Sequence, residues 1–148
     1  MQIRQAKEQD LMPLLALYTH LHHNPLPVRD ARLEAVWRAI LADVNQSVLV
    51  GEEAGELICS CVLVVVRNLT HEQRPYALIE NVVTHEEHRG QGYASALLRA
   101  ACDLARQENC YKIMLMTGSK EQSTLRFYER AGFNRQDKTA FVRWLGRV

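Results

Sequence analysis

The residues best placed to do chemistry stand in one run, Arg89-Gly90-Gln91-Gly92-Tyr93-Ala94-Ser95. An apolar segment, Tyr76 to Thr84, precedes it, and a helical pattern with Leu97, Leu98, Ala101, Leu104 and Ala105 on one face follows. A strand that enters a helix through such a turn presents the first backbone N–H groups of the helix without internal partners. Glycines at 90 and 92 let that backbone approach a ligand with no Cβ in the way. The helix dipole adds partial positive charge there and Arg89 adds a full one. The chemistry of the turn is anion binding, with a phosphate as the natural ligand.

Two common phosphate sites are excluded by what is missing. A nucleoside-triphosphate loop needs Lys followed by Ser or Thr after its last glycine, and Tyr93-Ala94 stand there instead. A dinucleotide turn needs a third glycine and an acid on the next strand; Gly90-Gln91-Gly92-Tyr93-Ala94-Ser95 lacks the first and Tyr111 to Met116 lacks the second.

Other reactive side chains point to structure. The cysteines at 59, 61, 102 and 110 fall in or beside regular elements, and Cys59-Ser60-Cys61 has no second pair to complete a metal site. Reduced structural thiols are expected. His20, His22 and His23 are spaced so that they do not share a helical face, so no metal centre is expected.

With 18 Lys and Arg against 17 Asp and Glu, the net charge of +1 offers no general attraction to nucleic acid or to a membrane surface. The N-terminal residues lack the apolar core of a secretory signal, and no run approaches the roughly 20 apolar residues of a membrane span. A cytoplasmic location is the expectation. At 148 residues the chain is expected to be a single domain, residues 1–148, without a second module or linker.

The elements that must position the turn follow from periodicity. Met1 to Gln5 reads as a strand. Leu11, Leu14, Leu15, Tyr18 and Leu21 predict a first helix that begins near Asp10, whose carboxylate can cap it, with Pro13 in the first turn. His22-His23-Asn24-Pro25-Leu26-Pro27 ends that helix, and Leu33, Val36, Trp37, Ile40 and Leu41 mark a second. Ser47 to Glu53 and Leu57 to Arg67 form a hairpin through Ala54-Gly55. Its run Val62-Leu63-Val64-Val65-Val66 belongs in mid-sheet, covered on both faces. After the central helix come a strand at Tyr111 to Met116, a helix opening at Ser119 or Lys120 and ending at Gly132, and a last strand at Ala140 to Leu145. The fold class is α/β.

Arg89-Gly90-Gln91-Gly92-Tyr93-Ala94 resembles the pyrophosphate-binding turn of the GCN5-related N-acetyltransferase superfamily. Phe127-Tyr128-Glu129-Arg130-Ala131-Gly132-Phe133 is similar to that family's helix-to-strand segment, and the order of elements agrees. The resemblance covers the C-terminal half by motif and the N-terminal half by pattern. It implies a mixed, mostly antiparallel sheet of six or seven strands flanked by about four helices. It also implies acetyl-coenzyme A as co-substrate, with no metal, and attack by a primary amine, expected to be a small molecule, within a ternary complex.

Carried over by position, the resemblance assigns cofactor contacts to the main chain of Val82, Val83 and Thr84 and to Arg89, Gly90, Gln91, Gly92, Tyr93, Ala94 and Ser95. Many relatives carry an Asn seven positions before the tyrosine; here Glu121 stands there, and Ser119, Lys120 or Thr124 is expected to supply the contact. Glu80, the only acid in Tyr76 to Thr84, takes the part of general base, its pKa expected to be raised by partial burial. Tyr128 takes that of general acid. Tyr18, His22, Trp37, Glu80 and Asn81 are the expected acceptor contacts, with a core position the alternative for Tyr18 and Trp37.

Glu80-Asn81-Val82-Val83 and Asn109-Cys110-Tyr111-Lys112-Ile113 are similar to the glucosamine-phosphate acetyltransferase subgroup, although Asn81 replaces an Asp. Two alternatives stay open at this stage: acetylation of a protein Lys or N-terminus, and a non-catalytic acyl-coenzyme A sensor. Apolar residues at Ala140 to Trp144 suggest a homodimer of the kind common in the superfamily.

Overall fold

The computed structural model describes residues 1–21 and 25–146, and the chain divides into two compact units, Met1–Leu115 and Met116–Val148. The first unit is built on one sheet of five strands, β1 (Gln2–Gln5), β2 (Gln46–Glu53), β3 (Glu56–Val66), β4 (Tyr76–Thr84) and β5 (Ile113–Leu115), which lie side by side in chain order. Neighbours are antiparallel as far as β4. β5 runs parallel to β4 because the crossover helix α3 (Tyr93–Gln107) joins them. Helices α1 (Leu11–Tyr18) and α2 (Ala31–Ala42) precede the sheet's main hairpin.

Two-residue turn chemistry sets the hairpin register. Ala54 and Gly55 both take positive φ, 52° and 86°, the combination whose twist suits a tight link between β2 and β3. Along these strands, alternate residues face opposite layers. Val48, Val50 and Val62 pack with Leu11 and Leu14 of α1 and Trp37 of α2, and the Trp37 indole N–H donates to the Glu8 carbonyl at 3.0 Å. On the other layer α3 buries Leu97, Leu98, Ala101 and Ala105. Cys61 shares that side with Cys102. Burial and the neighbouring thiols push its pKa up to about 12, and burial pushes Cys59 up to about 11. Both are inert core residues; of the Val62–Val66 run, Val62 and Leu63 are buried, while Val64, Val65 and Val66 keep partial exposure, so cover on both faces holds only for the first part of the run.

The ends of the helices follow rules legible in the chain. Asp30 caps α2 by accepting from the Leu33 N–H at 2.8 Å. α3 closes with Asn109 at φ 58°, while the N–H groups of Asn109 and Cys110 donate to the Arg106 and Ala105 carbonyls. Pro13 sits in the first turn of α1, as expected.

Three expectations need correction. Asp10 does not cap α1: it closes a 3₁₀ turn, Glu8–Asp10, by accepting from the Lys7 N–H at 2.7 Å, and it holds both terminal nitrogens of Arg4. The strand foreseen at Tyr111 to Met116 shrinks to Ile113–Leu115. Ala140 to Leu145 forms no strand, so the sheet has five strands rather than six or seven. Strand propensity in that segment is not met by a hydrogen-bonded neighbour among the described residues, and Phe141, Trp144 and Leu145 are 92%, 74% and 94% exposed.

The second unit is described by itself. Helix α4 (Gln122–Arg130) ends as foreseen at Gly132, whose φ is 91°. The Phe133 and Gly132 N–H groups donate to the Tyr128 and Glu129 carbonyls, and the Phe133 ring packs edge-on against Tyr128 at 6.4 Å. This is a Schellman closure with its hydrophobic contact, and it gives Phe127-Tyr128 and Gly132-Phe133 a shared physical reason.

The ion cluster on β1 yields the first prediction. Arg4 bridges Asp10 and Glu52 with its side chain only 16% exposed, and chiefly through its hydrogen bonds the Asp10 carboxyl lies below the usual range. Asp10→Asn should cost about 2–3 kcal/mol in urea unfolding at neutral pH, because it leaves part of a poorly solvated cation uncompensated. The wild-type carboxylate contributes stability above its unfolded pKa of about 4 and loses it as pH falls toward the lower folded value. The gap between wild type and variant should therefore narrow below about pH 4; a gap independent of pH would show that the charge is not responsible.

Candidate functional site

Of the two residues expected to be catalytic, Glu80 lies on β4, where the ladder to β3 is interrupted. Val62 faces Glu80 and Ser60 faces Val83, so Asn81 and Val82 together lie opposite Cys61. This is a β-bulge, with Asn81 at φ 52°, a region that Asn enters more readily than most side chains. Glu80 and Asn81 are both exposed beside the buried Val83. The desolvation expected for Glu80 is therefore not a property of the free chain. Pairing with β5 covers only Ala77 to Ile79. From Glu80 to Thr84 the strand is paired on its β3 side alone, and its opposite edge has no strand partner among the described residues.

Beyond β4 a 3₁₀ turn, Glu86–His88, leads to the glycine run. Gly90 and Gly92 take φ 77° and 85°, and a Cβ at either would meet nothing within 4 Å. Their requirement is conformational, and the space beside them is open to a ligand. Gly92 is the N-terminal boundary of α3 and no side chain caps it, so the N–H groups of Tyr93, Ala94 and Ser95 start the helix without helical acceptors. Backbone donors and the helix dipole thus face open space beside Gly90 and Gly92, an arrangement that suits an anion.

Long-range contacts hold this turn. Arg89 donates from Nε to the Thr84 carbonyl at 3.3 Å and from a terminal nitrogen to the His20 carbonyl at 3.2 Å. The His20 and His85 rings lie 4.2 Å apart, so the end of α1 is clasped to the turn. The Tyr93 hydroxyl donates to Glu53 at the end of β2, raising the tyrosine pKa and lowering that of the carboxyl. His20, His85 and Glu53 lie 40 to 69 residues from the partners in these three contacts, and no local sequence signal identifies them as supports.

A cavity of about 370 Å³ is lined by Leu15, Tyr18, Thr19, Leu21, Pro25, Pro27 and Asn81. Two of the expected acceptor contacts, Tyr18 and Asn81, meet there, and Glu80 is next in sequence. Trp37 is buried in the core and is not among the lining residues, while His22 lies outside the described residues. Burial raises the Tyr18 pKa, opposed by hydrogen bonds with Ser60 and Asn81. Ser60 commits its single proton to the Leu49 carbonyl at 2.9 Å. A second cavity, about 320 Å³, opens where β2 begins and α3 ends. It lies at the other end of the sheet and carries none of the expected site residues.

In the second unit the Ser119 hydroxyl donates to Thr124 Oγ1 at 3.2 Å and accepts from the Glu121 N–H at 3.2 Å, so these two hydroxyls organise the start of α4. Lys120 is exposed. Tyr128 is half-buried between Phe127, at 4.9 Å, and Phe133. Among the described residues no group of three or more His, Cys, Asp or Glu is placed to hold a metal, and no helix is long and apolar enough to cross a membrane.

Comparison with known proteins agrees with this arrangement. A solved structure from Agrobacterium tumefaciens str. C58, described as a candidate acetyltransferase, superposes with a TM-score of 0.91 at 38% identity, covering 97% of this chain and 100% of that one. Glucosamine 6-phosphate N-acetyltransferase of Trypanosoma brucei brucei is 29% identical over 144 residues, 93% of this chain and 92% of the relative. The crystal structure of glucosamine-6-phosphate N-acetyltransferase from Arabidopsis thaliana shares the fold, with a TM-score of 0.86 at 18% identity over 98% of each chain. The model of the acetyltransferase (GNAT) family matches residues 11–133. With the glycine turn, the interrupted β4 and the Schellman-closed α4 all inside that span, the chain belongs to the GNAT family of acetyltransferases.

Proposed function

We propose that the protein transfers the acetyl group of acetyl-coenzyme A to the primary amine of a small molecule, by direct attack in a ternary complex, and that residues 1–148 act as one catalytic domain. The observation that carries the reading is the union of an uncapped, glycine-initiated helix with a strand whose one edge has no strand partner among the described residues from Glu80 to Thr84. The first suits a pyrophosphate, and the second offers main-chain groups of Val82, Val83 and Thr84 to an amide-bearing arm as a further strand would. The family match across 11–133 supports the single domain.

Holding donor and acceptor in line supplies much of the acceleration. The ammonium form of the acceptor must lose a proton, which Glu80 accepts. The neutral nitrogen attacks the thioester carbonyl carbon, forming the C–N bond as the C–S bond breaks. The nitrogen sheds its second proton and the departing thiolate takes one from Tyr128, both groups being reset by exchange with water. What supports Glu80 is its position at the bulge beside the cavity; what supports Tyr128 is the motif that holds its ring. Ser119, Lys120 and Thr124 are assigned to the cofactor by position in sequence. The buried, high-pKa thiols of Cys59 and Cys61 are unsuited to an acetyl-cysteine route. The exposed Phe141, Trp144 and Leu145 favour a homodimer, which light scattering would report as about twice 17.0 kDa and which a mass near 17.0 kDa would overturn.

Cofactor binding tests the turn. Acetyl-coenzyme A should bind with a Kd on the order of 1 μM, and Gly92→Val should abolish it. A branched side chain there enters the open space and also disfavours the left-handed backbone by about 1–2 kcal/mol. Titration calorimetry that found unchanged affinity in a folded variant would place the cofactor elsewhere.

The chemical roles predict distinct pH profiles. Glu80→Gln should lower turnover about 10²–10⁴-fold, chiefly below the pKa of the acceptor amine, and Tyr128→Phe should lower it comparably wherever the tyrosine is protonated. The double variant should lose less than the product of the single losses if both act in one transition state. Near-wild-type turnover in both single variants would remove both assignments.

A further inference from the structure

Tyr18 takes on a role at the β4 bulge, one that rests on the transfer reaction and the base proposed above. A non-glycine residue in the left-handed region persists only where its surroundings fix it, and Asn81 stands at φ 52° in a strand that β5 has already left. Three other elements supply the fixing. Tyr18 is the last residue of α1, and its ring packs against the core cluster that holds Leu14, Val50 and Val62. Its hydroxyl shares hydrogen bonds with Asn81 on β4 and Ser60 on β3. Ser60 is fully buried and donates to the Leu49 carbonyl of β2 at 2.9 Å.

The two partners of that hydroxyl flank the irregularity. Asn81 lies where β4 carries one residue more than β3, and Ser60 faces Val83, the first regular pair beyond. One oxygen therefore joins the bulged residue to the position that closes the bulge, and Ser60 passes the connection on to β2. Glu80 immediately precedes Asn81 and is exposed, so the direction of its side chain is inherited from the backbone of the bulge. Small errors there are costly: a displacement of about 1 Å at a reacting group can cost about 10²-fold in rate.

We propose that Tyr18 is a positioning residue: by tying Asn81 to Ser60 its hydroxyl locks the bulge and holds the Glu80 carboxylate in reach of the acceptor nitrogen, without itself touching the reacting atoms. Ser60 is the second member of the lock. At 0% exposure it cannot meet an acceptor, so its effect on turnover has to pass through Tyr18.

The test follows coenzyme A release with acetyl-coenzyme A saturating and glucosamine 6-phosphate, phenethylamine and a lysine peptide each offered as acceptor, the fastest being carried forward. Tyr18→Phe keeps the ring and removes only the hydroxyl; it should lower kcat about 10- to 100-fold and leave KM for the acceptor within about twofold. Ser60→Ala should lower kcat about 3- to 10-fold, again at constant KM, as the loss of one anchoring hydrogen bond implies. Added to Glu80→Gln, Tyr18→Phe should bring no further loss, because no base is left to place. Amide hydrogen exchange resolved by NMR should quicken in Tyr18→Phe from Asn81 to His85 and stay unchanged at Ala77 and Ile79, where β5 still holds the strand. A raised KM at unchanged kcat would make Tyr18 an acceptor contact and overturn the proposal. A loss of undiminished size in the Glu80→Gln background, or unaltered exchange at the bulge, would overturn it equally. Release with none of the three acceptors, from wild-type protein that binds acetyl-coenzyme A in calorimetry, would overturn the transfer reaction and the positioning role with it, even where quickened exchange showed the lock itself to be real.

Discussion

The constraint on which the site depends is that β4 must serve two partners and is released by one of them halfway. Its first residues are locked between β3 and β5, and Ala77 and Ile79 are fully buried there. Past Ile79 only β3 remains, and the extra residue at the bulge bends the strand at the point of release. A regular strand would alternate Glu80 and Asn81 between the two faces; a residue at φ 52° breaks that alternation and leaves both exposed together. The strain of a non-glycine residue in that region is small for Asn, and its side chain is used through Tyr18. Backbone irregularity, acceptor wall and candidate base are thus consequences of one local event in the ladder.

That event has to be coupled to the glycine turn. The end of β4 continues the ladder as His85 N–H donates to the Ile58 carbonyl at 2.9 Å, and within a few residues Arg89 returns to the Thr84 carbonyl. The same guanidinium reaches the carbonyl of His20, at the exit of α1, and the adjoining Leu21 lines the cavity. Two arms of one side chain therefore touch the strand that presents Glu80 and the helix end that walls the cavity. An anion at the turn would draw on the same positive charge.

Periodicity in the chain disclosed the hairpin, β4, α3 and α4, because each is an apolar run bounded by Gly, Pro or Asn with a local role. The Ala54-Gly55 turn, Pro13, and Gly132 with Phe133 behave as local rules require. What local rules missed was settled by distant partners. Asp10 abandons the cap of α1 because Arg4 and the Lys7 N–H compete for its carboxylate, whereas Trp37 takes the core position that the sequence offered as its alternative, its N–H donating to the Glu8 carbonyl. Ala140 to Leu145 has strand-forming residues, yet no described neighbour supplies the other half of a ladder. The bulge was equally invisible, since Asn81 is an ordinary strand-end residue until its opposite number, Cys61, is known.

The unequal legibility of cofactor and acceptor has a physical origin. Binding of a pyrophosphate by a turn relies on main-chain N–H groups, so the sequence must mainly keep side chains out of the way, and Gly90 and Gly92 do so wherever such a turn is built. The cavity beside the bulge is instead lined by side chains drawn from α1, from the segment after it and from β4. A chain 29% identical to a glucosamine 6-phosphate enzyme can therefore keep the turn and the interrupted strand while its cavity is lined by Leu15, Leu21 and two prolines. One amide in place of a carboxylate at position 81 changes which protons the wall can give and which charge it carries. The fold is shared through backbone geometry, whereas acceptor choice in an enzyme turns on a handful of side-chain contacts worth a few kcal/mol in total.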